Sequence, residues 1–85
     1  MSIEELLVEE KKLVNEEYML RNIRSDIDNI YKKIFLYMPN ETQSEVADKT
    51  LLLEGYIIPR LHTVTLRLEA IQLKIEAINT LLEED

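Results

Sequence analysis

Apolar residues recur every seven positions through the first part of the chain, at Leu6, Leu13, Leu20, Ile27 and Ile34. Neither glycine nor proline interrupts residues 3–38. From Leu20 onward the apolar positions alternate steps of three and four residues, which is the spacing of a helix that packs against another helix. The positions in this stripe are Leu20, Ile23, Ile27, Ile30, Ile34 and Tyr37. The sequence therefore predicts a first helix over residues 3–38.

The start and the end of this helix are both marked. Ser2 followed three residues later by Glu5 is a capping box, in which the hydroxyl accepts from a free amide and the carboxylate reaches back to the cap. Pro39 restricts Met38 to extended backbone and cannot continue the helix. We therefore expect a turn at residues 39–41. Two overlapping caps would then start the next helix, Asn40 with Gln43 and Thr42 with Glu45.

A second helix is predicted over residues 42–84. Its apolar stripe is formed by Val46, Thr50, Leu53, Ile57, Leu61, Val64, Leu68, Ile71, Ile75, Ile78 and Leu82. Two steps of four follow each other between Leu53 and Leu61, so the stripe slips by one residue beside Pro59. Proline removes a backbone donor and opens the preceding turn, and Gly55 weakens the same stretch. We expect a kink within residues 55–60, with a complete break as the alternative.

Two helices joined by so short a turn pack side by side in opposite directions. The predicted fold is all-α, an antiparallel helical hairpin or coiled-coil rod that forms one domain over residues 1–85, with residue i facing about residue 80 − i. Further apolar residues would widen the stripe beyond one neighbour, and they are Leu7, Val14, Leu66, Leu73 and Leu81. We expect a homodimer in which a second copy covers them and completes a four-helix bundle.

Composition excludes several classes of partner. Ten lysines and arginines stand against 17 aspartates and glutamates, a net charge of −7 that disfavours nucleic acid and anionic membranes. The longest apolar run is three residues, Leu51 to Leu53, far short of the roughly 18 that a membrane span needs. The first residues carry no basic segment typical of a targeting signal. We expect a cytoplasmic protein.

The sequence offers no catalytic or metal-binding constellation, so we expect a protein that is not an enzyme and has no cofactor. Cysteine is absent and His62 is the only histidine, which leaves no set of zinc ligands. Gly55 is the only glycine, so no glycine-rich phosphate loop exists. Adjacent acidic pairs such as Glu16-Glu17 point in different directions on a helix and do not converge on one substrate atom.

Two stretches resemble one family. Residues 11–19 (KKLVNEEYM) resemble the K-x-L-x-K-E-E signature in the first helix of tubulin-binding cofactor A. Residues 51–59 (LLLEGYIIP) resemble the part of that family's second helix where apolar residues lead into a proline. The likeness covers most of residues 9–80, in the same order and at nearly the same spacing. It implies a three-helix rod, of which this chain would hold the first two helices.

The resemblance implies a chaperone that binds β-tubulin after its release from the cytosolic chaperonin and holds it without nucleotide, metal or catalysis. Other tubulin-folding cofactors would be possible partners, and the protein would be associated with the cytoskeleton. The residues carried over as partner-binding are Lys11, Lys12, Glu16, Glu17 and Tyr18 on the first helix and Tyr56, Pro59 and Arg60 on the second. The alternative is a structural coiled-coil subunit of a larger cytosolic assembly, which long acidic helices with heptads fit equally well.

Overall fold

The computed structural model describes residues 2–83 and consists of two helices. Helix α1 is Ile3–Tyr37 and helix α2 is Asn40–Glu83. They pack against each other as an antiparallel hairpin, 68 Å long and 16 Å in each other direction. The predicted all-α hairpin is confirmed. The predicted end of the second helix at Glu84 lies outside the described residues.

The start of α1 follows the predicted cap. Ser2 has extended backbone, and its hydroxyl accepts a hydrogen bond from the Glu5 amide at 3.2 Å. Glu4 and Glu5 lie in the first turn, where carboxylates favour the positive end of the helix dipole. One half of the predicted capping box, the hydroxyl bond, is therefore confirmed.

The turn is shorter than predicted, and its polar contacts differ. Only Met38 and Pro39 separate the helices, and Met38 is extended, as a residue before proline should be. Asn40 already lies in α2 rather than in the loop. The expected cap from Thr42 is wrong, because its hydroxyl donates to the Pro39 carbonyl at 3.1 Å.

Gln43 joins the two helices at this turn. Its Nε2 donates to the carbonyl of Met38 at 2.9 Å and to that of Phe35 at 3.4 Å, so it satisfies acceptors at the end of α1. The Gln43 amide itself donates to the Pro39 carbonyl at 3.2 Å, which makes Pro39 the residue that precedes the helix. The predicted pairing of Gln43 with Asn40 is thus replaced by a contact across the turn.

Helix α2 continues through Pro59 without interruption. The complete break is therefore excluded, and the kink at residues 55–60 stays a prediction. Because proline has no amide hydrogen, the Gly55 carbonyl loses its donor, yet the chain on both sides of Pro59 stays helical.

The seam of the hairpin is the row of side chains that each helix turns toward the other. On α1 the buried residues are Leu6, Leu13, Leu20, Ile27 and Ile34, one in each heptad. On α2 the seam row is buried or half-buried throughout and consists of Gln43, Ala47, Thr50, Glu54, Ile57, Leu61, Val64, Leu68, Ile71, Ile75 and Ile78. From Ala47 onward its steps alternate strictly between three and four. Val46, which the predicted stripe included, is half-buried beside this row, as is Thr65.

This row corrects two predictions. Leu53 is 50% exposed and Glu54 takes the seam position, so the predicted one-residue slip beside Pro59 does not occur. On α1, Ile23, Ile30 and Tyr37 are 37%, 51% and 80% exposed and lie outside the buried row. Leu82 is also exposed. Both errors have one physical cause. Each helix is rotated so that its best-packed stripe is buried, and apolar residues outside that stripe stay exposed.

The predicted pairing of residue i with about 80 − i is confirmed by two contacts between the helices. Arg60 contacts Glu16, and their residue numbers add up to 76. Thr65 contacts Glu17, and their residue numbers add up to 82. We divide the rod into an open half (residues 3–20 and 57–83) and a turn half (residues 21–56). One contiguous core fills the open half, and its members are Leu6, Leu13, Leu20, Leu61, Val64, Leu68, Ile71 and Ile75.

Candidate interaction surfaces

The hairpin carries its polar contacts between helices at the edges of the seam. Arg60 Nη2 and Nε lie 2.6 and 2.7 Å from Glu16 Oε1, with the two side chains 47% and 36% exposed. On the other edge Thr65 Oγ1 donates to Glu17 Oε2 at 3.1 Å, and Arg21 Nε lies 3.5 Å from Glu17 Oε1. Each of these partly exposed contacts adds only about 1 kcal/mol or less to stability, and only those of Glu16 with Arg60 and of Glu17 with Thr65 join the two helices.

The residues implied by the family resemblance do not share one surface. Glu16 and Arg60 come together at one edge and Glu17 lies at the other. Lys11 and Tyr18 are each two residues from a buried leucine, about 200° around α1, and therefore lie on the side away from α2.

The remaining members of that set are spread further. Tyr56 and Pro59 are exposed on the side of α2 that faces away from α1, so the rod separates them from Lys11 and Tyr18. Lys12 lies on the surface of α1 beside Glu4, Glu5, Val8 and Glu9. A partner that contacted all eight residues would have to surround the rod.

A surface that sequence reasoning missed surrounds the turn half. Ten large apolar side chains are exposed there: Ile23, Ile30, Phe35, Leu36, Tyr37, Met38, Leu51, Leu52, Leu53 and Tyr56. We call these ten residues the turn-half apolar surface. Only Ile27, Ile34 and Ala47 are buried in this half, and they are not part of the contiguous core. The run Leu51 to Leu53 was the available signal, because three adjacent helical residues cannot all face one neighbour.

A second apolar row lies along α2, directly opposite the seam. Its members are Leu52, Tyr56, Pro59, Thr63, Leu66, Ala70, Leu73, Ala77 and Thr80, spaced by alternating steps of four and three. All nine are exposed and none is charged. Leu66 illustrates why this row lies opposite the seam. It is two residues from each of the buried residues Val64 and Leu68, and hence about 200° around the helix from both. We call this row the outer stripe of α2.

Among residues 2–83, no three potential metal ligands come together, and neither helix has a stretch long and apolar enough to cross a membrane. His62 is exposed on α2. Comparison with known protein families, with curated proteins and with solved structures finds no match to this chain. The resemblance to tubulin-binding cofactor A therefore stays a prediction.

Proposed function

We propose that this chain is a binding protein that holds a partner protein without chemical turnover, and that the partner is β-tubulin after its release from the chaperonin. The observation that carries the first part is the turn-half apolar surface. The second part rests on the two stretches that resemble tubulin-binding cofactor A. Under this proposal the protein works in the cytoplasm beside the cytoskeleton, with other tubulin-folding cofactors as further partners.

The exposure of the turn half supports a holding role. Leu36, Tyr37 and Tyr56 are 72%, 80% and 78% exposed, and the exposed residues lie on both helices. Exposed apolar surface beyond what a small protein usually shows marks a site where another surface binds. An incompletely folded client offers apolar surface of its own, and burying the two surfaces against each other would hold it in solution.

The test is co-migration of the purified chain with β-tubulin released from chaperonin. We expect a soluble complex, and Leu36→Glu should weaken it at least tenfold because a charge would then enter the contact. Leu81→Glu is the matched control, since Leu81 is 65% exposed in the open half. Absence of a complex, under conditions where tubulin-binding cofactor A forms one, would contradict the proposal.

The second candidate function is a structural coiled-coil subunit of a larger assembly, and the outer stripe of α2 favours it. A helix with apolar rows on two opposite sides has room for a neighbour on each side. In this case a tagged chain recovered from cells would migrate in one stable assembly of fixed stoichiometry without β-tubulin. The same Leu36→Glu and Leu81→Glu variants would then leave that assembly unchanged, while Leu66→Glu would disrupt it.

A further inference from the structure

The outer stripe of α2 is built like the seam of a coiled coil. Leu52, Leu66 and Leu73 are 68%, 52% and 65% exposed. The two threonine hydroxyls within the stripe are already satisfied, because Thr63 donates to the Pro59 carbonyl at 3.0 Å and Thr80 to the Glu76 carbonyl at 2.9 Å. These threonines therefore have no need of a polar partner, and the stripe can be covered by apolar groups at little cost.

Helix α1 has no corresponding row. The line opposite its buried leucines reads Val8, Asn15, Asn22, Asn29 and Leu36. Lysines stand beside this line near both ends, at residues 11, 12, 32 and 33, and all four are exposed. Burying such a face would remove water from both amides and ammonium groups. A second seam is therefore available on α2 alone.

Charges of opposite sign border the two edges of the outer stripe. Arg60, Arg67 and Lys74 lie along one edge, and Asp48, Glu69 and Glu76 lie along the other. All six side chains are exposed, although Arg60 is already bound to Glu16. In coiled coils, charged residues that flank the apolar seam determine which helices pair and in which orientation.

We propose that the outer stripe binds a second copy of this chain, with the two α2 helices parallel and related by a two-fold axis. In this arrangement the acidic edge of each copy faces the basic edge of the other, and Glu69 lies near Lys74 of the second copy. An antiparallel arrangement would instead bring Arg67 against its own counterpart and Arg60 against Lys74. Repulsion between like charges disfavours that arrangement.

The spacing of the stripe agrees with the parallel arrangement. Leu52, Leu66 and Leu73 fall on the heptad positions where leucine favours two parallel strands. Ala70 and Ala77 lie on the alternate positions and let the helices approach closely. The interface is self-complementary and closed, as a two-fold dimer requires.

This dimer differs from the bundle expected from sequence. Leu66 and Leu73 belong to the outer stripe, whereas Leu7, Val14 and Leu81 lie on other faces, so one second copy does not cover all five. The inference does not depend on the proposed client, since a dimer through α2 leaves most of the turn-half apolar surface open. Only Leu52 and Tyr56 belong to both surfaces.

Single cysteines test the arrangement cleanly because the chain contains none. Ala70→Cys places a thiol on the stripe, and in the parallel dimer the two thiols meet. We expect Ala70→Cys to form an intermolecular disulfide at least tenfold faster than Ser25→Cys, which places the thiol on the outer side of α1. Equal rates for the two variants would overturn the proposal. So would a mixture of Thr63→Cys and Ala70→Cys chains in which the mixed disulfide forms faster than the disulfide between two Ala70→Cys chains.

Sedimentation equilibrium measures the association itself. We expect the unmodified chain to approach twice 10.1 kDa at tens of micromolar. Leu66→Glu should return it to a monomer that keeps its helical circular dichroism. A helical monomer of the unmodified chain over that range would refute the dimer.

A charge reversal separates the two orientations. Lys74→Glu should weaken the parallel dimer about 2- to 10-fold, because Glu69 would then face a carboxylate, and adding Glu69→Lys should restore it. If Lys74→Glu strengthens association, the antiparallel arrangement holds and the proposal fails.

Discussion

In the open half of the rod, leucine and isoleucine from α1 meet leucine, valine and isoleucine from α2. In the turn half the α1 side is equally apolar, with Ile27 and Ile34 buried, but α2 presents Ala47, Thr50 and Glu54. Its leucines at residues 51–53 are 49–68% exposed. One continuous helix thus packs well over one half of its length and poorly over the other.

The difference shows which half sets the rotation of α2. A continuous helix has one phase, so the residues that face α1 near the turn are coupled to those that face it near the open end. Helix α2 buries five large apolar residues from Leu61 to Ile75 but only Ala47 in the turn half. Glu54 and Thr50 enter the seam because the open half requires it.

The largest expected effect comes from Leu13→Ala, which opens a cavity in the contiguous core. We expect a loss of about 2–5 kcal/mol in the free energy of unfolding, measured with urea at one protein concentration. Ile27→Ala, in the turn half, should cost clearly less because its neighbours on α2 are small or polar. An equal loss at both sites would break the distinction between the halves.

Pro59→Ala acts near the junction of the two halves. Alanine has the backbone N–H that proline lacks, and this N–H can donate to the Gly55 carbonyl. We therefore expect stabilisation of up to about 3 kcal/mol. Amide exchange should show weaker protection at residues 55–60 than at residues 64–71 in the unmodified chain, and this gap should narrow in the variant. Uniform protection in the unmodified chain would remove the predicted kink.

Glu54→Leu should strengthen the turn half by placing an apolar side chain on the seam. We expect a gain of about 1–2 kcal/mol, less than full burial of leucine because the site is only partly covered. Glu54→Gln is the control, since it removes the charge without adding apolar surface. A gain of the same size from glutamine would assign the effect to charge rather than to packing.

Gln43→Ala removes the side chain that connects the turn to the end of α1. The carbonyls of Met38 and Phe35 would lose a donor, and we expect a cost of about 0.5–1.5 kcal/mol. Exchange of amides near the turn should accelerate more than that of amides in the open half. Gln43→Glu should not rescue the loss, because a carboxylate accepts hydrogen bonds and cannot donate them to carbonyls.

The smallest effect is expected at the edge of the open half. Glu16→Gln should lower stability by about 1 kcal/mol or less, since the contact with Arg60 is partly exposed and screened by salt. The loss should shrink further when the urea experiment is repeated in 1 M salt. A loss as large as that of Leu13→Ala would mean that the ion pair, rather than the leucine core, determines the register.

Local signals predicted the elements of this fold well. The Ser2 cap, the extended Met38 before Pro39 and the pairing near 80 − i all follow from short-range sequence and chain geometry. The exact turn did not follow, because two plausible caps competed with a contact from Gln43 that exists only once the helices are placed. The turn-half apolar surface was also missed, and the outer stripe was anticipated only through Leu66 and Leu73, since exposure depends on the rotation of the whole helix.

The sequence by itself determined that the chain forms two long helices, where they reverse, and that they run antiparallel, because periodicity, proline and turn length act locally. Only the tertiary structure decided which residues each helix hides. Leu53 and Glu54 are neighbours with opposite preferences, and the packing of Leu61 to Ile75 leaves the leucine half-exposed and turns the glutamate toward the seam. A continuous helix couples distant residues into one rotation, so the best-packed segment influences the environment of all the others.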